Sequence, residues 1–310
     1  FNFSGFDEDR RNFYYYDESL AAADEADGWV NISNPSAALE IGKGYIFYYP
    51  DNAQTYTMSG SLSNLSFGTV SEPITATQAK WNIVGNPYPT ALDADFFLQE
   101  NAVDNSRITS TLYFWDDDMT EGTGYNSTDY ATYTQALSTA GGSGTQPTGI
   151  IGVGQSFMVE AMAATNVEFT PAMQSVSGSA VFFKDKGTKS TIAPNWQDHV
   201  QRLWLRLERE TPQGKIFNET ALAFTETATP NWDLMGDATK RKGNAFMAFY
   251  SMLGTQALAV QSYPPLGWAP EQGYAIPLGF DAEEAAEYTI RLHNTDNIET
   301  HDELYLPDTY

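Results

Sequence analysis

Two kinds of residue in this chain carry the chemistry to hold something: clustered carboxylates and clustered aromatic rings. Asp116, Asp117 and Asp118 stand in a row with Glu121 close behind, and Asp93 and Asp95 form a second acidic pair. Carboxylate oxygens are hard donors, so either cluster is a candidate Ca²⁺ site. Neither follows the EF-hand pattern of alternating oxygens, a glycine and a distal glutamate, and the plainer reading is a pair of solvated acidic loops. Flat arrays of tyrosine and tryptophan on a sheet face stack on sugar rings. Tyr14, Tyr16, Tyr113 and Trp115 are the candidates here, although strand alternation assigns part of any such set to the core.

Other chemistries find little support. Glycoside hydrolysis needs two carboxylates at a set separation; with 40 acidic residues candidates abound, but no pair is marked by its context. His199, His293 and His301 are isolated from metal-binding or nucleophile-activating patterns. Ile41-Gly42-Lys43-Gly44 lacks the terminal Gly-Lys-Ser/Thr of a phosphate loop and opens a strand rather than a helix. With no cysteine, disulfides, thiol catalysis and Cys-ligated zinc are excluded. Asn2, Asn31, Asn64, Asn126 and Asn218 lie in N-x-Ser/Thr sequons, a pattern common by chance.

The elements that must position these residues repeat. Phe13-Tyr14-Tyr15-Tyr16-Asp17-Glu18 leads to Gly42-Lys43-Gly44 and the apolar run from Tyr45; Leu112-Tyr113-Phe114-Trp115-Asp116-Asp117 leads to Gly152-Val153-Gly154 and the run from Gln155. Each unit closes on a third strand, Tyr56–Ser59 in the first and Val167–Thr170 in the second. Such self-similarity marks a scaffold built by duplication. The glycines suit a bulge or a positive-φ turn. In Asn86-Pro87-Tyr88-Pro89 the two prolines force an extended exit from the strand Trp81–Val84, and one X–Pro bond is a candidate for the cis form. Short strands with turn signals continue to the end. In the run Leu203–Glu208 the leucines alternate with Trp204, Arg206 and Glu208, which predicts one buried and one wet face. One short helix is predicted over 91–101, capped by Asp93 or Thr90, and a turn or two fits Asp281–Ala286. The Ser/Thr/Gly/Tyr-rich stretch 125–148 reads as a surface excursion.

The fold class expected is therefore all-β, as tandem antiparallel sandwiches of Ig-like or jelly-roll-like type. Aromatic residues, at 18 Tyr, 18 Phe and 7 Trp, favour the same class. The length of 310 residues suggests two domains. The Lys-rich stretch 184–194 places the boundary: 1–185 holds the duplicated unit, and 186–310 is a second sandwich, incomplete without further chain. A net charge of −24 disfavours nucleic acid and anionic lipid and favours cations. No apolar run approaches a membrane span. Opening at Phe1 without Met, the chain reads as a processed or truncated product.

Trp81-Asn82-Ile83-Val84-Gly85-Asn86-Pro87-Tyr88-Pro89-Thr90 followed by Leu92-Asp93-Ala94-Asp95-Phe96 resembles a signature of large secreted Bacteroidota proteins that end in a type IX secretion sorting domain. Gly42-Lys43-Gly44-Tyr45, Gly152–Phe157, Asn166–Met173, Phe182-Phe183-Lys184, Leu203-Trp204-Leu205, Ala223–Asp233, Ala259-Val260-Gln261 and Leu304-Tyr305-Leu306 continue the resemblance in order. It implies export to the surface of a Gram-negative cell, a β-sandwich build and no catalytic motif. In that family the last of these strands is followed by more strand and the sorting domain, whereas this sequence stops at Tyr310.

The expectation is a non-catalytic cell-surface structural or adhesive protein that needs no cofactor, with Ca²⁺ as a candidate ligand. Its partners would be further copies or other surface proteins, joined by strand pairing into filaments or surface assemblies. The alternative is a carbohydrate-binding module of a secreted polysaccharide-acting protein, with glycans as ligand. A polysaccharide-degrading enzyme ranks third. Trp81 and Trp204 are the expected buried anchors.

Overall fold

A computed structural model describes residues 2–4, 13–22, 25–32, 38–47, 57–59, 68–117, 127–175, 180, 200–212, 214–266, 274–298 and 305–306. The fold is all-β and sandwich-like, with one short α-helix among the described residues. Among the described residues no helix is long and apolar enough to cross a membrane.

The two similar passages share a strand order. The first unit contains β1 (Asn2–Ser4), β2 (Phe13–Tyr16), β3 (Trp29–Asn31), β4 (Ile46–Phe47) and β5 (Thr57–Ser59). The second contains β6 (Val70–Ile74), β7 (Trp81–Gly85), β8 (Ala91–Asp93), α1 (Ala94–Leu98), β9 (Leu112–Asp116), β10 (Asp129–Tyr133), β11 (Ser138–Thr139), β12 (Ile150–Ile151), β13 (Ser156–Glu160), β14 (Thr165–Phe169) and β15 (Gln174–Ser175). Aromatic β2 lies between β3 and β4 while β1 pairs with β5; aromatic β9 lies between β10 and β13 while β6 pairs with β14. Among the described residues the second unit differs by carrying β7, β8 and α1 between its first strand and its aromatic strand, β11 and β12 between β10 and β13, and β15 after β14.

Strand β7 joins the units. On one side it pairs with β13. On the other, Gly44 N–H donates to the Ile83 carbonyl (3.1 Å) and Gly85 N–H to the Gly42 carbonyl (2.8 Å). Gly44 must lack a side chain, because a Cβ there would lie 2.6 Å from Ile83 Cγ1 and 2.7 Å from the Ile83 carbonyl carbon. Gly42 and Gly154 take positive φ, +90° and +69°. The turns are therefore not equivalent: the positive-φ glycine is first in one and second in the other.

Residues of the five-stranded sheet β11-β10-β9-β13-β7 alternate between two cores. Val84, Leu112, Phe114, Phe157 and Val159 pack with α1 residues Phe97 and Leu98. Trp81, Ile83, Tyr113 and Met158 pack with Tyr16, Ala21 and Tyr130 on the opposite side. Asp93 caps α1, accepting from Asp95 N–H (2.9 Å) and Phe96 N–H (3.2 Å). A five-residue π-helical segment, Gln99–Val103, extends α1.

The C-terminal half holds β16 (Gln201–Thr211), β17 (Gly214–Phe224), β18 (Ala238–Thr239), β19 (Met247–Leu253), β20 (Gln256–Tyr263), β21 (Leu278–Ala282) and β22 (Thr289–Asp296). The order is β21-β19-β20-β17-β16-β22, with β18 also paired to β20. Pairing is antiparallel except between β17 and β20, which run parallel because the chain crosses over through β18 and β19 before returning. Named strands of 1–175 pair with one another, as do those of 201–296. The Lys-rich segment 184–194 lies outside the described residues.

Four local expectations are corrected. There is no cis peptide bond among the described residues, so both prolines of Asn86–Pro89 follow trans bonds. Residues 281–286 form the end of β21 and a bend rather than a helical turn. Residues 127–142 are nearly all buried, not a surface excursion; their glycines permit close packing, since a Cβ on Gly141 would lie 2.5 Å from Asp116 Cβ. Finally, β16 has no uniformly wet face: Arg202, Trp204 and Glu208 are buried, the first two beneath that same stretch.

Candidate functional site

The aromatic candidates do not form a platform. Tyr16 and Tyr113 are buried in one core, and the Tyr113 hydroxyl donates to the Thr239 carbonyl at 2.9 Å. Tyr14 is half-buried. Trp115 alone is exposed, at 39%, edge-on to Tyr130. Tyr113 is buried because β9 lies inside a sheet covered on both faces, and Tyr16 packs from β2 into the core on one of those faces.

The acidic candidates also turn inward. Asp116 is fully buried; its Oδ2 accepts from Ser143 N–H (3.0 Å) and Ser143 Oγ–H (2.8 Å), while Oδ1 meets no hydrogen-bond partner among the described residues. Burial pushes its carboxyl up to about 7, the Ser143 bonds oppose the shift, and Asp117 and Asp129 add to it. Asp117 accepts from Thr128 Oγ1 at 3.1 Å. Asp118 and Glu121 lie outside the described residues. Asp93 serves α1, and Asp95 accepts from the Tyr133 hydroxyl at 2.9 Å. Among the described residues no group of three or more acidic or histidine side chains converges as a metal site would. His293 is exposed on β22, and His199 and His301 are outside the described residues.

The motif Trp81, Asn86, Pro87, Tyr88, Pro89 with Gly42, Gly44, Gly152 and Gly154 is a fastening. Asn86 Nδ2 donates to the carbonyls of Thr90 (2.8 Å) and Gly152 (3.0 Å), and its Oδ1 accepts from Tyr88 N–H (3.0 Å). The Tyr88 hydroxyl donates to the Phe169 carbonyl at 2.6 Å. Gly152 N–H donates to Gln155 Oε1 at 2.7 Å. Glu18 works similarly on the far side of β7. Burial by itself would raise its carboxyl, but bonds from Lys80 N–H, the Thr77 hydroxyl, Gln78 N–H and Thr77 N–H hold it down at about 2.

The richest polar constellation lies where the two halves meet. Residues 134–146 run across β16 and β17. Trp204 Nε1–H donates to the Ser138 carbonyl (2.8 Å), Arg202 Nε–H to the Ala136 carbonyl (3.0 Å), and Ala140 N–H to Glu219 Oε1 (2.8 Å). The other oxygen of Glu219 pairs with Arg206 Nε at 2.7 Å, and the Arg206 guanidinium lies 4.0 Å from the Phe217 ring centroid. The Arg241 guanidinium lies over Trp81 (4.2 Å) and Tyr130 (5.0 Å).

At the centre of this seam Asp129 Oδ2 accepts from Lys240 Nζ (2.7 Å) and Asn218 Nδ2 (2.5 Å), while Oδ1 accepts from Gly243 N–H (2.8 Å). Asn218 Oδ1 accepts from Phe249 N–H at 2.8 Å. The Lys240 and Asp129 side chains are only 3% and 4% exposed, and Asn218 is buried. This triad carries no local sequence signature, because Asp129 is separated from Asn218 by 89 residues and from Lys240 by 111. The available signal was compositional: Lys240-Arg241-Lys242 is a basic run in a chain with only 16 Lys and Arg. Asn218 also stands in a sequon, but its amide is already engaged inside the fold.

These features define an all-β protein whose halves are keyed together by buried polar groups. The chain belongs to the family described as Domain of unknown function (DUF8693), whose model matches residues 1–310. No curated protein and no solved structure matches it.

Proposed function

We propose that this protein is a non-catalytic structural or adhesive module of a bacterial cell surface, exported by the type IX route, which associates with further copies of itself through sheet edges. The observation that carries this reading is the pair of outer strands of the C-terminal sheet. Among the described residues β22 pairs only with β16, and β21 only with β19. Leu292 on β22 and Phe280 on β21 are 47% and 46% exposed. An open edge bearing apolar side chains is a template for another strand. Pairing the β22 edge of one copy with the β21 edge of the next is heterologous and builds a filament rather than a closed dimer.

The net charge of −24 opposes such association, so cations favour it by screening; Ca²⁺ serves here as a counterion or at the Asp116 loop. The buried ionisable groups support a structural role, since Glu18, Asp129 and Glu219 each hold distant segments together. A sugar-binding reading rests on Trp115 alone, the one exposed ring of the four candidates.

The test is negative-stain electron microscopy with light scattering, at low and high salt, with and without calcium. Wild type should form filaments that shorten or disappear in Leu292→Lys, which sets a charge on the edge strand. A monomer under every condition, in wild type and variant alike, overturns the edge-pairing reading. Glycan binding lost in a folded Trp115→Ala variant would replace it with the second one.

A further inference from the structure

We infer that Lys240 and Asn218 are built to form an intramolecular isopeptide bond, with Asp129 as the proton carrier. This goes beyond the surface role and does not depend on it. Lys240 Nζ and the Asn218 amide are hung on the same oxygen, Asp129 Oδ2, at 2.7 and 2.5 Å. A primary amine, a carboxamide and a shared carboxylate are the three groups that transamidation requires, held without a diffusional step. Gly243 N–H fixes the other carboxylate oxygen. The carbonyl of the amide is polarised by Phe249 N–H at 2.8 Å, and that donor remains in place as negative charge develops on Oδ1. Asn218 is buried and the Lys240 and Asp129 side chains are almost wholly covered, beside Phe249 and Tyr130, which are buried as well. Water, the competing nucleophile, is thereby kept from the amide.

The step balances without an oxidant or cofactor. Asp129 takes a proton from the Lys240 ammonium, and the freed Nζ lone pair attacks Asn218 Cγ to give a tetrahedral centre whose oxyanion rests on Phe249 N–H. Asp129 returns the proton to Nδ2, the Cγ–Nδ2 bond breaks, and ammonia leaves. The nitrogen of the new amide sheds its extra proton to the departing ammonia. The products are a neutral secondary amide and one ammonium ion, so the protein loses one positive charge. The bond ties β17 to the residue that follows β18 and closes a covalent ring around the crossover. In a chain without cysteine, it supplies the cross-link that a disulfide otherwise provides.

The experiment is intact-mass spectrometry of the full chain, followed by protease digestion and fragment sequencing. Wild type should be lighter than its sequence by one ammonia and yield a branched peptide joining the segments around Asn218 and Lys240. Lys240→Arg, Asn218→Ala and Asp129→Asn should each have the full sequence mass. A wild-type protein of full mass with a cooperative unfolding transition overturns the proposal, whatever the folding state of the variants. So does a loss of ammonia that persists in Lys240→Arg, because that is a succinimide at Asn218. Loss of water with a Lys240–Asp129 branched peptide would also overturn it, since Asp129 would then be the electrophile.

Discussion

Replacing Asp116 by asparagine should stabilise this protein at pH 8 and leave it little changed at pH 4. The carboxyl is fully buried, and its pKa is raised from 3.8 to about 7. A raised carboxyl binds its proton more tightly in the folded state. Its stabilising contribution is complete below the unfolded value near 3.8 and is lost as pH rises through about 7. At about 1.36 kcal/mol per pKa unit, the shift of roughly three units sets a ceiling of about 4 kcal/mol on the penalty of ionising the group. Asparagine keeps an oxygen for the Ser143 N–H and hydroxyl and carries no charge to desolvate. Recovery of about 1–3 kcal/mol at pH 8 is expected after relaxation and water penetration. Urea unfolding of wild type and variant at pH 4, 6 and 8, each with chelator and with calcium, measures this directly. A variant destabilised equally at all three pH values would refute the reasoning. Calcium that stabilises wild type at pH 8, with no effect on Asp116→Asn, would instead identify the Asp116 carboxylate as a cation ligand.

Three further changes, at two positions, probe the packing. Trp204→Ala should cost about 3–5 kcal/mol, because it opens a cavity in the core formed with Leu137, Ala221, Ala223 and Val260. Trp204→Phe isolates the bond to the Ser138 carbonyl at about 1–3 kcal/mol; chemical denaturation distinguishes the two, and equal costs would refute the assignment. Gly44→Ala sets a methyl 2.7 Å from backbone and should cost about 1–3 kcal/mol. Hydrogen exchange should then show the loss concentrated at residues 42–47 and 83–85, and a uniform effect across the chain would count against that contact.

Much of the scaffold was legible in the residues themselves. The aromatic strands, the Gly-x-Gly turns and the Asp93 cap rest on local rules: alternation, positive φ and side-chain capping act over a few residues wherever the chain folds. The repeated passages adopt one strand order for the same reason, since similar runs of strand and turn reach similar local solutions. Burial was misread where a second layer intervened. Tyr113 and Asp116 look half-exposed by alternation, but a segment from another part of the chain covers each of them, and periodicity within one strand has no access to that; Trp204 is the buried anchor expected of it, although alternation alone sets it on the wet face of β16.

What sequence alone determined, then, is the inventory of strands and turns and the polar, cysteine-free, acidic character of the whole. Only tertiary structure decided which of 40 acids meet partners. Asp129, Asn218 and Lys240 converge across separations of 89 and 111 residues because β10 is pressed against β17 and the end of β18. The energy that brings them there comes from burying the surrounding apolar surface. That force acts on area and carries no mark at the three positions it assembles.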